Sequence, residues 1–186
     1  MYKKKEKIGP SVIWITGLSG SGKTSTSKKL YEHMQKKYYK IKWLDGDKIR
    51  KKLKIPRNNN SFSLNYRIKL GKKYSKIARS FEKKGYFVII SVMALSKKVL
   101  KFNRKNIRDY HEVFINVPKS ELKRRDPKKI YKRFFNKEIR NVVGFDLPYY
   151  IPINANLKIN WKKNMTKQKI FLKILNYLNL NVLKKE

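Results

Sequence analysis

One run of eight residues, Gly17-Leu18-Ser19-Gly20-Ser21-Gly22-Lys23-Thr24, constrains this chain more than any other stretch. It meets every required position of the phosphate-binding pattern G-x-x-x-x-G-K-[ST]. Its flanks carry as much information as the run itself. Val12-Ile13-Trp14-Ile15-Thr16 is a short apolar segment that reads as a buried strand, and from Lys23 to about Lys37 the residues Leu30 and Met34 mark the inner face of a helix. A mere flexible Gly/Ser turn would not need a strand before it and a helix after it. Gly17, Gly20 and Gly22 allow backbone turns that a Cβ would oppose, so successive N–H groups face phosphate oxygens. The helix starting near Lys23 adds the positive end of its dipole. Lys23 then reaches the β- and γ-phosphates of ATP and the Thr24 hydroxyl ligates Mg²⁺. Ser19, Ser21 and Ser25 belong to the same loop and are expected to contact phosphate rather than to act as nucleophiles.

Beyond this loop the pattern alternates between strands and helices. Ile41 to Leu44 reads as a strand, about Asn65 to Lys84 as a helix closed by Gly85, and Tyr86 to Met93 as a central parallel strand. A helix from about Ser96 to Asn106 follows, then a strand at Glu112–Val117 ended by Pro118. Short helices are expected at Ser120–Arg124 and Lys129–Phe135, a mobile loop at Asn136–Asn154, a last strand at Asn156–Asn160 and a closing helix from Lys167 to about Leu178. The expected fold class is α/β, a three-layer P-loop NTPase fold with a parallel sheet flanked by helices. No repeat or linker interrupts it, so residues 1–186 read as one domain.

Charge is the other unusual feature. Lys and Arg number 49 against 12 Asp and Glu, a formal +37. Such a balance suits nucleic acid or an anionic membrane. The basic residues, however, recur from Lys3-Lys4-Lys5 to Lys184-Lys185 without forming a stripe or a tail, as overall Lys-rich composition would produce. A nucleic-acid-binding protein with a relic phosphate loop is therefore the non-enzyme alternative, and nucleic acid is not the expected partner. Cys is absent, which removes thiolate chemistry and suits a reducing cytoplasm. The apolar run after the basic start is too short for a secretory signal, and no segment is long enough to span a bilayer. His33 and His111 lack companions at metal-ligand spacing and read as structural.

The acceptor side is encoded less compactly. Leu44-Asp45-Gly46-Asp47 closes the second strand, putting both carboxylates at the sheet edge where ligands bind in open α/β folds. Such a carboxylate accepts the proton of an attacking hydroxyl or holds Mg²⁺, although Asp-Gly is also a common turn dipeptide. Several segments together resemble the adenylylsulfate (APS) kinase family. Trp14-Ile15-Thr16 before the loop resembles F-W-x-T-G-L-S-G-[SA]-G-K. Leu44-Asp45-Gly46-Asp47 with Arg50 resembles L-D-G-D-x-x-R, and Phe62-Ser63 with Arg67 resembles F-S-x-x-D-R. Arg125-Asp126-Pro127-Lys128 and Ile130-Tyr131-Lys132 resemble R-D-P-K-G-L-Y-K. Glu138-Ile139-Arg140-Asn141-Val142-Val143-Gly144-Phe145-Asp146-Leu147-Pro148-Tyr149 resembles E-I-K-N-[FV]-[TV]-G-[IV]-D-x-P-[YF]. The likeness runs from about Val12 to Asn160.

This resemblance implies ATP-dependent phosphorylation of the ribose 3′-hydroxyl of APS to give PAPS, in a cytoplasmic homodimer. By the same resemblance Asp47 orients or deprotonates the hydroxyl, and Asp45 supports it near Mg²⁺ with Thr24. Arg50 and Arg67 hold the phosphosulfate, Phe62 packs on the substrate adenine, Arg125 stacks on the ATP adenine, and Arg140 stands where the family has a Lys. Residues 126–152 correspond to a lid. The chain departs from the family at Leu70, where an Asn is usual, and at Lys72 and Lys73, which replace arginines. Ala94 occupies a position that is commonly serine, so no serine chemistry is available there. These departures, with the stretch Phe102–Ile107, resemble a divergent branch of which some members act on other nucleotides such as cytidine diphosphoramidate.

Overall fold

The computed structural model describes residues 5–56 and 58–183. Lys3, Lys4, Lys184 and Lys185 of the terminal basic runs lie outside the described residues. Strands β1 (Ser11–Thr16), β2 (Ile41–Asp45), β3 (Phe87–Ser91), β4 (Tyr110–Asn116) and β5 (Leu157–Asn160) form a parallel sheet in the order β2-β3-β1-β4-β5. The middle strand is thus β1, which carries the loop, and the more apolar β3 lies between it and the β2 edge. The sequence reading placed the 86–93 run at the centre. Its apolarity records burial on both faces, which β1 shares, and does not report position within the sheet.

Helices cover both faces. On one side stand α1 (Lys23–Lys37) and α8 (Lys167–Asn181), on the other α4 (Leu64–Lys83) and α5 (Lys97–Asn106). Alternation along β1 divides the core between these layers. Ile13 and Ile15 join Leu30, Met34, Ile174 and Leu178, whereas Val12 and Trp14 join Tyr74, Ala78, Val99 and Leu100. Each fully buried aliphatic chain of this kind stabilises the fold by about 1.5–3 kcal/mol. A three-layer α/β architecture follows from that two-sided burial.

Two short helices were not legible in the sequence. α2 (Gly46–Lys52) starts directly at the end of β2, because Asp45 caps it by accepting the backbone N–H groups of Asp47 and Lys48. α3 (Asn59–Phe62) is a single turn held by a capping box between Asn58 and Ser61. The remaining short helices, α6 (Lys119–Arg125) and α7 (Ile130–Phe135), fall where they were expected. Between α7 and β5 no named helix or strand occurs among the described residues.

Candidate active site

The phosphate loop leaves β1 under tight constraint. A Cβ at Gly17 would stand 2.6 Å from the Ile115 carbonyl oxygen of β4 and 2.7 Å from the Ser21 hydroxyl. Gly22 caps α1 at φ 92°, a conformation that L side chains oppose. Lys23 folds back over this turn, its Nζ donating to the Leu18 carbonyl at 2.6 Å and to Ser21 Oγ at 3.4 Å. Burial, then the positive charge of Lys128, pull the Lys23 ammonium down to about 7, against the opposing pull of Asp47 and Asp45. Anionic phosphates beside Nζ would push it back up.

Asp45 and Asp47 have different surroundings although they are two residues apart. Asp45 is buried. Its Oδ2 accepts the Thr24 hydroxyl at 2.8 Å and the Ser91 hydroxyl at 3.0 Å, while its Oδ1 caps α2. A carboxylate and a hydroxyl therefore meet beside the loop, an all-oxygen donor set that suits a hard cation such as Mg²⁺. Among the described residues no group of three or more His, Cys, Asp or Glu comes together as a metal site. Mg²⁺ in phosphoryl-transfer sites needs only one or two carboxylates plus substrate phosphates, so the residues present fit it. Asp47 instead projects from the first turn of α2 and is 43% exposed, with Lys128 Nζ donating to its Oδ2.

Arg50 and Arg67 come from different helices and meet around one ring. Arg50 is buried and donates to the Pro56 carbonyl at 3.1 Å and to Ser61 Oγ at 3.0 Å, while its Nε is buried without a partner. Arg67 donates to the Phe62 carbonyl at 2.7 Å and to the Asn141 carbonyl at 3.0 Å. The two guanidinium carbons lie 5.2 and 5.3 Å from the centroid of Phe62. Here Phe62 packs against two cations, an interaction that steadies both. Desolvation first, and the neighbouring Arg50 second, lower Arg67 to about 10. Two like charges held this close make a site that an anion relieves.

Arg125 is anchored from behind, donating to Glu121 at 2.6 Å and lying 5.7 Å from the Trp161 ring centroid. Arg140 is exposed at the cavity wall. Segment 126–152 is fastened at its base, where Tyr131 donates to the Ser19 carbonyl at 2.7 Å, and at its far end, where the Tyr150 amide donates to Leu95. One cavity of about 950 Å³ connects all of this. Every candidate catalytic, cofactor, substrate or metal residue named from the sequence borders it except Gly17 and Ser21, which are buried. The sequence reading missed Ser91, Tyr74, Lys128 and Trp161. Ser91 had a signal, since it ends an apolar strand at the ligand edge of the sheet and pairs in register with Asp45. Lys128 stood inside the R-D-P-K segment without a role.

The phosphate-loop pattern on the middle strand of a helix-flanked parallel sheet, with carboxylates, hydroxyls and guanidiniums around one chamber, has the architecture of P-loop kinases. Comparison with known proteins refines that class. A sequence model described as Adenylylsulphate kinase matches residues 9–160, so the chain belongs to the adenylylsulphate kinase family. Cytidine diphosphoramidate kinase of Campylobacter jejuni is 37% identical over 154 residues, covering 83% of this chain and 88% of that protein. A probable adenylyl-sulfate kinase of Archaeoglobus fulgidus is 34% identical over 153 residues, covering 82% and 97%. The solved APS kinase CysC of Mycobacterium tuberculosis, in complex with AMPPNP and APS, superposes with a TM-score of 0.82 at 27% identity, over 94% of this chain and 99% of that one. This chain is therefore a phosphotransferase with an alcohol-type acceptor and a nucleotide-binding kinase. No described helix is long and apolar enough to cross a membrane.

Proposed function

We propose that the protein transfers the γ-phosphoryl group of ATP to the ribose 3′-hydroxyl of adenylylsulfate, giving PAPS. The observation that carries this reading is the Arg50–Phe62–Arg67 cluster, a paired-guanidinium anion site facing the phosphate loop across one cavity. Planar guanidiniums suit a phosphosulfate because each can offer parallel N–H donors to its oxygens. In this scheme the acceptor oxygen bonds to the γ-phosphorus, the bond to the β–γ bridging oxygen breaks with its electrons leaving on ADP, and the hydroxyl proton passes to Asp47. Lys23 and the loop N–H groups hold the charge that spreads over the transferring oxygens. Thr24 and Asp45 would hold Mg²⁺, which supplies further charge neutralisation when bound. Arg125 forms the platform for the ATP adenine, and residues 126–152 act as a lid that excludes water. The expected assembly is a homodimer in the cytoplasm.

A second reading, cytidine diphosphoramidate as acceptor, is favoured by the 37% identity to the Campylobacter kinase. Leu70 on the cavity wall favours it too, since APS kinases usually have an Asn at that position. Steady-state kcat/KM for both acceptors, with ATP and Mg²⁺, tests the choice. The APS reading requires the larger value for APS; a value orders of magnitude larger for the cytidine compound replaces it.

A further inference from the structure

The cavity extends beyond the phosphate loop. Lys28, one turn further along α1, borders it, as do Met165 and Ile170 at the start of α8 and Arg125 at the end of α6. How firmly Arg125 is held there depends on two neighbours. Glu121, one turn earlier on α6, is buried and accepts from Arg125 Nε at 2.6 Å. The same carboxylate also takes Arg124, which donates from Nε and Nη2, both at 2.8 Å. Arg124 thus has a two-pronged grip on Glu121, while Arg125 shares the carboxylate through Nε. A single hydrogen bond leaves the guanidinium plane free to turn about that point, unlike a bidentate pair. The second neighbour removes that freedom. The Arg125 guanidinium carbon lies over the Trp161 ring, 5.7 Å from its centroid.

Trp161 is itself well fixed. It follows β5 directly, its amide donates to the Asn116 carbonyl of β4 at 2.8 Å, and its ring packs on the core shared by α1 and α8. Its indole Nε1 is buried and has no hydrogen-bond partner among the described residues. An unpaired buried N–H carries a cost that Phe or Leu in the same place would not. What Trp adds over either is the aromatic face that best attracts a cation, and the cation lying over it is Arg125.

We propose that Trp161 is a positioning residue for the donor nucleotide: its indole fixes the plane of the Arg125 guanidinium, which rests one face on Trp161 and presents the other to the adenine. This rests on Arg125 as the adenine platform, but not on which nucleotide is the acceptor. Trp161, Arg125 and the base then form three successive layers, of which only the middle one touches nucleotide. Because Arg125 is ordered before nucleotide arrives, less of its rotamer freedom is lost on binding. The effect is confined to the base. Phosphate binding and transfer depend on Lys23 and the loop, which Trp161 does not contact.

The test uses the full-length protein with Mg²⁺ and compares, by calorimetry, ADP with inorganic tripolyphosphate, which fills the phosphate loop and has no base. Trp161→Leu keeps an apolar side chain against the core and should weaken ADP binding by about 3- to 20-fold, the scale of losing a partly desolvated cation–π contact. Tripolyphosphate affinity should change by less than about twofold. Trp161→Phe restores an aromatic face and should recover most of the ADP affinity. In steady state Trp161→Leu should raise KM for ATP by the factor seen for ADP, with kcat at saturating ATP within about twofold of the wild type. In an Arg125→Ala background the same change should cost ADP no further affinity. Should the leucine variant lose its thermal transition, Trp161→Met replaces it under the same criteria. Unchanged ADP affinity in Trp161→Leu overturns the proposal, as does an equal loss for tripolyphosphate, which would mark a disturbed fold. A full additional loss on top of Arg125→Ala also overturns it, because Trp161 would then act without the arginine. Arg125→Ala alone separates this from the reading beneath it. If it weakens ADP while Trp161→Leu does not, the platform stands and Trp161 has no part in it. If it leaves the preference for ADP over tripolyphosphate unchanged, the platform falls and the proposal with it.

Discussion

The two walls of the cavity are built in different ways. In the proposed reading the donor wall is one continuous run, residues 17–24, set between a strand and a helix, where backbone N–H groups would meet the phosphates. The acceptor wall gathers Asp47 and Arg50 from α2, Phe62 from α3, Arg67 from α4 and Arg140 from the segment after α7. A backbone site is specified by glycines and local geometry, so it changes little with sequence elsewhere. A site made of side chains on separate elements depends on every contact that sets those elements in place. This is why one wall states its ligand chemistry plainly and the other leaves the acceptor as a proposal.

Four expected outcomes sharpen or break that contrast. The largest concerns Lys23→Ala, which should lower turnover by ~10³-fold while the protein stays folded, since it removes a charge from the transferring phosphates. A circular-dichroism melt beside a coupled ADP-release assay checks both halves. The next concerns Arg67→Ala, which should reduce kcat/KM for the acceptor by about 10- to 100-fold, the scale of losing a charged hydrogen bond. KM for ATP should stay near its original value if the walls act separately; a matching rise for ATP would show them coupled.

A subtler effect is protonic. The free Lys23 ammonium sits at about 7, so above that pH it is largely neutral in the protein without nucleotide. Phosphates raise the value on binding, so ATP or ADP should bind with proton uptake at pH 8, and affinity should fall as pH rises past about 7. Calorimetry in buffers of different ionisation enthalpy measures the uptake, and Lys23→Ala should abolish it. The smallest effect concerns the lid. Lys129 holds φ 53° where the family pattern has Gly. Lys129→Gly should stabilise the protein by about 0.5–1 kcal/mol, the left-handed strain less the entropy cost of glycine, as read by urea denaturation.

The same contrast explains what could be read without coordinates. The order of strands and helices was visible because each layer buries one periodic apolar face, as with Leu30 and Met34 on α1 and Leu70, Tyr74 and Ala78 on α4. The helices that escaped, α2 and α3, are short and capped by single side chains, so they carry no period to detect. At the site, the loop and its Lys23 and Thr24 follow from residue type and spacing. The division of labour between Asp45 and Asp47 does not. It depends on Thr24 and Ser91 closing around Asp45 while Lys128 reaches only Asp47, contacts that span up to 81 residues of chain. The resemblance named Arg50, Phe62 and Arg67 together, but their packing around one ring is a tertiary fact.

Phosphoryl transfer across that cavity is the central event proposed for this protein. The most direct measurement follows label from ATP radiolabelled at its γ-phosphate, with Mg²⁺ and with APS or cytidine diphosphoramidate, resolved by chromatography. Label is expected in the nucleotide acceptor, with little in inorganic phosphate and none transferred by Lys23→Ala. Label that appears only in inorganic phosphate, at a rate Lys23→Ala leaves unchanged, would contradict it.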